Sequence, residues 1–241
     1  MWRHMVEKAY LTKIMLKVFI PTIGASFAHW LWSIITSWLP DLKYNFFVID
    51  LFGFVPSCIV TIVALWLYLQ GSRQERYTKI LIILFFVIIV ALLTQLFLND
   101  VYVGTGLNFN KPMIFLLIAF AVCNMISSVI GYERCSSKLI LISNENSLRE
   151  TVVTVFSLVG LPLLTIDTYL AFWFFGMGVV GGVGLKDGLN IMLITLTFYS
   201  LILYVTNRLA NTIGKQESEV SGMLAICCLY SEGSSLIVNV K

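Results

Sequence analysis

Apolar residues do not alternate with polar ones along this chain. They come in unbroken runs of about twenty, the length a helix needs to cross a hydrocarbon layer. Six runs predict six spans: Ile14–Leu39, Phe46–Gln70, Ile80–Leu98, Met113–Tyr132, Val152–Trp173 and Leu189–Thr206. Prolines fall inside three of them. Pro21 lies in the first turns of its run, while Pro56 and Pro162 lie near the middle of theirs and predict kinks. The third run is the most uniform, with only Thr94 and Gln95 polar. Its predecessor is separated from it by a polar loop, Gly71–Lys79.

One long polar stretch, Glu133–Glu150 (ERCSSKLILISNENSLRE), divides the apolar pattern. Inside it Lys138–Ser143 is too short to span anything and reads as a strand that runs into an Asn-rich turn. The tail repeats the signature, with an apolar run at Met223–Tyr230, a turn at Ser231–Ser234 and a second run at Ser235–Val240. At the start of the chain Trp2, Met5, Val6, Ala9 and Tyr10 share a helical face with charged residues between them. That is the pattern of a helix lying along lipid headgroups; as a signal peptide the region would have only Ser26-Phe27-Ala28, a poor cleavage site. The predicted fold is an all-α polytopic membrane protein of about six transmembrane helices with a small cytoplasmic β element. Its blocks are residues 1–132, 133–150, 151–207 and 208–241.

Composition agrees with this class. Only 12% of residues are charged and 59% are hydrophobic, against roughly 25% charged in soluble domains. No soluble core absorbs that much hydrocarbon, and a transmembrane barrel would alternate. With the N-terminus in the cytoplasm, all of the 16 lysines and arginines except Lys43, Lys111 and Lys186 fall on the inner side. That asymmetry orients the chain with both termini cytoplasmic, as expected of a bacterial inner-membrane protein. In this arrangement every Glu is cytoplasmic and every Asp is at or near the outer side. The five cysteines imply neither a disulfide framework nor a metal site.

Candidate chemistry is sparse. Asp167, some fifteen residues into the fifth run and beyond Pro162, is a carboxylate in the outer part of the hydrocarbon. Such a group faces the bundle interior, pairs or binds a proton; if the helix ends early, it marks the outer interface instead. Asp50 offers the same two readings. Gln95 and Asn124, with Ser127 and Ser128, are polar contacts between helices or the lining of a polar path. The glycine-rich Gly176–Gly184 has the flexibility of a re-entrant segment or an outer loop, and small-xxx-small spacing at Gly178 and Gly182. His4 and His29 have no partner at helical spacing. Nucleophile-elbow, zinc-protease and phosphate-loop patterns are absent from the sequence, so it predicts no catalytic residues, metal or cofactor. It also has no basic face with interleaved aromatics, so no direct nucleic-acid binding is expected.

Short strands need a partner edge to satisfy their backbone. Lys138, Ile140, Ile142 and Asn144, with Leu229, Tyr230 and Ile237 of the tail, are therefore candidate docking residues for a cytoplasmic protein. The order KLILISNENS, LVGLPLLTID and MLAICCLYSEGSSLIVNV over Lys138–Lys241 resembles small polytopic membrane subunits of bacterial antiphage systems, of the Kiwa membrane-subunit type. The resemblance implies an oligomeric membrane sensor, without catalytic residues, that holds a cytoplasmic effector. A small-solute or ion transporter using Asp167 and Asp50 is the expectation from the other class.

Overall fold

The structure, a computed structural model, describes residues 12, 14–38, 45–46, 49–96, 102–103, 106–107, 110–134, 147–169, 186–210 and 212. Six helices make up nearly all of it: α1 (Met15–Ser37), α2 (Val55–Tyr68), α3 (Arg73–Leu96), α4 (Asn110–Arg134), α5 (Leu148–Tyr169) and α6 (Gly188–Ala210). Among the described residues α1, α3, α5 and α6 are long and apolar enough to cross a membrane.

Local chemistry sets where the helices begin, and the starts differ from the hydropathy pattern. Helix α5 opens four residues early, at a reciprocal cap. Ser147 Oγ accepts from the Glu150 N–H at 3.3 Å, and the Glu150 carboxylate accepts from the Ser147 N–H at 2.9 Å. The expected polar loop Gly71–Lys79 is mostly helix. Gly71 takes φ +128°, a conformation open to glycine, and Ser72 Oγ accepts from the Glu75 N–H at 3.4 Å, so α3 starts at Arg73. The second run loses its first turns. Residues 51–54 form a turn, and Pro56 stands in the first turn of α2, where its missing N–H costs nothing. At 14 residues α2 is about 21 Å long.

Two π turns interrupt the long helices, Met15–Phe19 in α1 and Phe156–Gly160 in α5. Each is followed, after one residue, by a proline: Pro21 and Pro162. A proline ring in an α-helix presses on the carbonyl four residues back and cannot donate to it. Widening the turn relieves the clash, and the last regular bonds run from the Ile20 N–H to the Met15 carbonyl and from the Leu161 N–H to the Phe156 carbonyl.

Helix α5 is the centre of the bundle. Two-thirds of its apolar window is buried (67%), against 22% for α3. It packs on α2, α3 and α4, with Phe156, Leu158, Val159 and Leu163 in the core. Phe86 of α3, Phe120 of α4 and Tyr199 of α6 meet at centroid distances of 5.9 and 6.1 Å. Helix α1 lies against α6 so closely that a Cβ on Gly24 would collide with Ile202. Of the tryptophans that suit an aromatic belt, Trp30 and Trp38 are exposed and Trp32 is half-buried.

The extended structure described is two antiparallel pairs, β1 (Asn45–Phe46) with β2 (Ile49–Asp50) and β3 (Tyr102–Val103) with β4 (Gly106–Leu107). They link α1 to α2 and α3 to α4, the end opposite to the one where a β element is expected. The strand-prone segments Lys138–Ser143 and Met223–Val240 lie outside the described residues, as do residues 1–11 of the expected interfacial helix and Gly176–Gly184.

Candidate functional site

The N-terminal ends of α2 and α6 are tied together at one end of the bundle. Asp50 closes a tight turn, its Oδ1 accepting from the N–H groups of Phe52 and Gly53 at 2.9 Å each. Asp187 does the same for α6, its Oδ1 accepting from the Leu189 N–H at 2.9 Å. Two bonds cross between the helices. The Asn190 amide donates to the Phe52 carbonyl at 2.7 Å, and Ser57 Oγ donates to the Leu189 carbonyl at 2.7 Å. The C-terminal end of α5 joins them, because Asp167 is buried beside Asp187.

Asp167 therefore satisfies parts of both expectations. It is two residues from the end of α5 and nineteen from its start, about 29 Å along the axis, so it stands at the rim of a hydrocarbon layer. It is nevertheless 5% exposed and turned into the bundle rather than out of it. Asp50 is fully buried, and as the acceptor of a turn it has a structural task. Asn124 is buried on α4. Gln95 is exposed, one residue past buried Thr94, and does not join the others; it faces away from the bundle. Asp187, Asn190 and Ser57 are the members that sequence reasoning missed. The signal for the first was Lys186-Asp187-Gly188 before an apolar run, a helix start that the preceding glycines made look like loop.

Elsewhere most hydroxyls bond to their own helix. Thr22, Thr94, Thr168 and Ser200 each donate to the carbonyl four residues back at 2.7 Å, the usual solution in an apolar medium. Thr61 Oγ1, Ser157 Oγ and Tyr199 Oη are fully buried and have no hydrogen-bond partner among the described residues.

The other end of the bundle is basic. There Lys79 Nζ donates to the Gln70 carbonyl at 2.8 Å and lies over the Tyr68 ring, and Arg208 lies over Tyr204. Because α5 meets the start of α6 through Asp167, its own start at Ser147 belongs to this basic end, with the last turn of α6. Segments 135–146 and 213–241 thus attach at the same end. The candidate docking residues Lys138, Ile140, Ile142, Asn144, Leu229, Tyr230 and Ile237 lie outside the described residues.

Among the described residues no three His, Cys, Asp or Glu side chains are grouped to hold a metal ion. No family model, curated protein or solved structure matches the chain.

Proposed function

We propose that this chain is a non-enzymatic, oligomeric, six-span inner-membrane protein that serves as a sensor and docking platform for a cytoplasmic protein. One observation carries the reading: the start of α5 and the last turn of α6, to which the two polar, strand-prone segments connect, share one end of the bundle, the basic one. Basic residues are retained on the cytoplasmic side, so both segments face the compartment where a soluble partner resides. A strand of the length expected in either segment is too short to be stable alone, and pairing with each other or with an edge of the partner would complete the backbone bonding. The resemblance of the order of parts over Lys138–Lys241 to membrane subunits of antiphage systems supports an effector protein as that partner.

The test compares the full chain with a version ending at residue 214, both solubilised from the native host. A partner recovered at fixed stoichiometry with the full chain and lost on truncation supports the platform. Equal recovery from both, or recovery of none, rejects it. Loss of phage resistance on truncation is the matching cellular outcome.

A second reading is favoured by a different observation, the buried approach of Asp167 to Asp187. Two neighbouring carboxylates attract a cation or a proton, as the outer mouth of a transport route would. Flux into liposomes that is unchanged by Asp167→Asn removes this reading.

A further inference from the structure

We infer that α2, α5 and α6 hold between them a binding site for a dehydrated monovalent cation of sodium's class, centred on the hydroxyls of Thr61 and Ser157. The inference is independent of the docking role.

Three observations support it, the first two at one level of the bundle and the third nearer its end. The first is the pair of hydroxyls, each fully buried and each without a hydrogen-bond partner among the described residues. A buried hydroxyl left without its bond costs about 1–3 kcal/mol. Thr22, Thr94 and Ser200 avoid that cost by bonding backward to a carbonyl, and Ser57 by bonding across to the Leu189 carbonyl; these two do neither.

The second is the backbone beside them. Gly160, one turn after Ser157, brings α5 so near its neighbours that a Cβ there would sit 3.6 Å from Thr61 Oγ1 and 3.3 Å from a Leu196 methyl. Ser157 and Gly160 belong to the same π turn, and Pro162 follows two residues later. Pro162 has no N–H for the carbonyl of Ser157, five residues back, or that of Leu158, four residues back, so main-chain oxygen is freed beside the hydroxyls. Irregular backbone at membrane depth persists where it is enclosed by protein, and such carbonyls are suited to monovalent cations. The contributing atoms are all oxygens, the ligand type that a hard cation selects.

The third is charge. Asp167 lies seven residues beyond Gly160 on the same face of α5, about 10 Å along the axis, with Asp187 beside it. Their oxygens offer a cation a first contact at the end of the bundle from which it would enter. Ser57, one turn before Thr61 on the buried face of α2, stands between the two levels. The cage itself is neutral, and no three acidic side chains are grouped among the described residues. A single positive charge therefore fits where a divalent ion does not.

The experiment is thermal unfolding of the full solubilised chain in sodium chloride and in choline chloride at matched ionic strength. Choline is too large to enter. The expected result is a saturable rise in Tm with sodium alone. In Thr61→Val combined with Ser157→Ala the half-saturating concentration moves up by roughly tenfold or more, a loss of about 1.4 kcal/mol or more of binding. Thr61→Ser, which keeps the hydroxyl, stays near wild type. Superimposed sodium and choline curves for the wild-type chain overturn the proposal without any variant, and they are the outcome expected if the hydroxyls hold water. A folded double variant with unchanged half-saturation overturns it as well.

Discussion

Asp167 and Asp187 are near neighbours held for different reasons, and the difference is testable. Asp187 accepts from the Leu189 N–H and caps α6, so Asp187→Ala removes a helix cap and lowers stability by about 1 kcal/mol. Asp167→Asn replaces a buried carboxyl beside Asp187 with a neutral group of the same shape; thermal unfolding at neutral pH and low salt is expected to show an unchanged or higher Tm. A fall in Tm as large as that of Asp187→Ala would mean that Asp167 also carries structural bonds. Asp167 was legible in the sequence because a carboxylate inside an apolar run stands out. Thr61 and Ser157 were not, since a hydroxyl in such a run is ordinary until its bonding is known. Gln95 and Asn124 looked alike in sequence and part in space: one is exposed and the other buried, because a side chain's direction depends on helix phase and packing.

At the scale of the element, the six described helices were readable from hydropathy, four of them long enough to span, and their ends were not. Hydropathy places a start where side chains become apolar, whereas a helix starts where its first N–H groups find acceptors. The cap at Ser147 and Glu150 therefore precedes the apolar run of α5, and the cap at Ser72 makes helix of Arg73–Lys79. Because Ser147 and Glu150 act as one reciprocal unit, Ser147→Ala is expected to cost about 1 kcal/mol. Adding Glu150→Ala to it is expected to cost less than the sum of the single changes. Unfolding in mixed detergent reads both. The close approach of α1 to α6 gives a second prediction. Gly24→Leu places a branched side chain where even a Cβ meets Ile202, at a cost of about 1–3 kcal/mol. Ile202→Ala is expected to recover part of it.

For the whole molecule, the division of charge becomes physical once the helices are in place. The described aspartates, Asp50, Asp167 and Asp187, gather at one end, while Arg73, Arg76, Lys79, Arg149 and Arg208 mark the other. Single cysteines at Ser72 and Ser147, in a cysteine-free background, are expected to react with an impermeant maleimide from one side of sealed vesicles. A cysteine at Lys111 is expected to react from the opposite side. Labelling of Ser72 and Ser147 from different sides would break the bundle topology and remove the platform with it. Burial also divides the helices. Leu158→Ala in α5, at 0% exposed, is expected to cost about 2–5 kcal/mol, while Leu92→Ala in α3, at 61% exposed, is expected to leave unfolding of the single chain almost unchanged.

A turn that spends five residues where four would serve displaces everything after it by one position around the axis. In α5 that offset is about 100° of rotation, accumulated before Leu161. Replacing Pro162 with alanine would let the turn tighten. The last two turns of the helix would then swing a quarter of a circle or more, parting residue 167 from residue 187 without touching either. One imino acid in mid-helix thus sets which neighbours the far end can have.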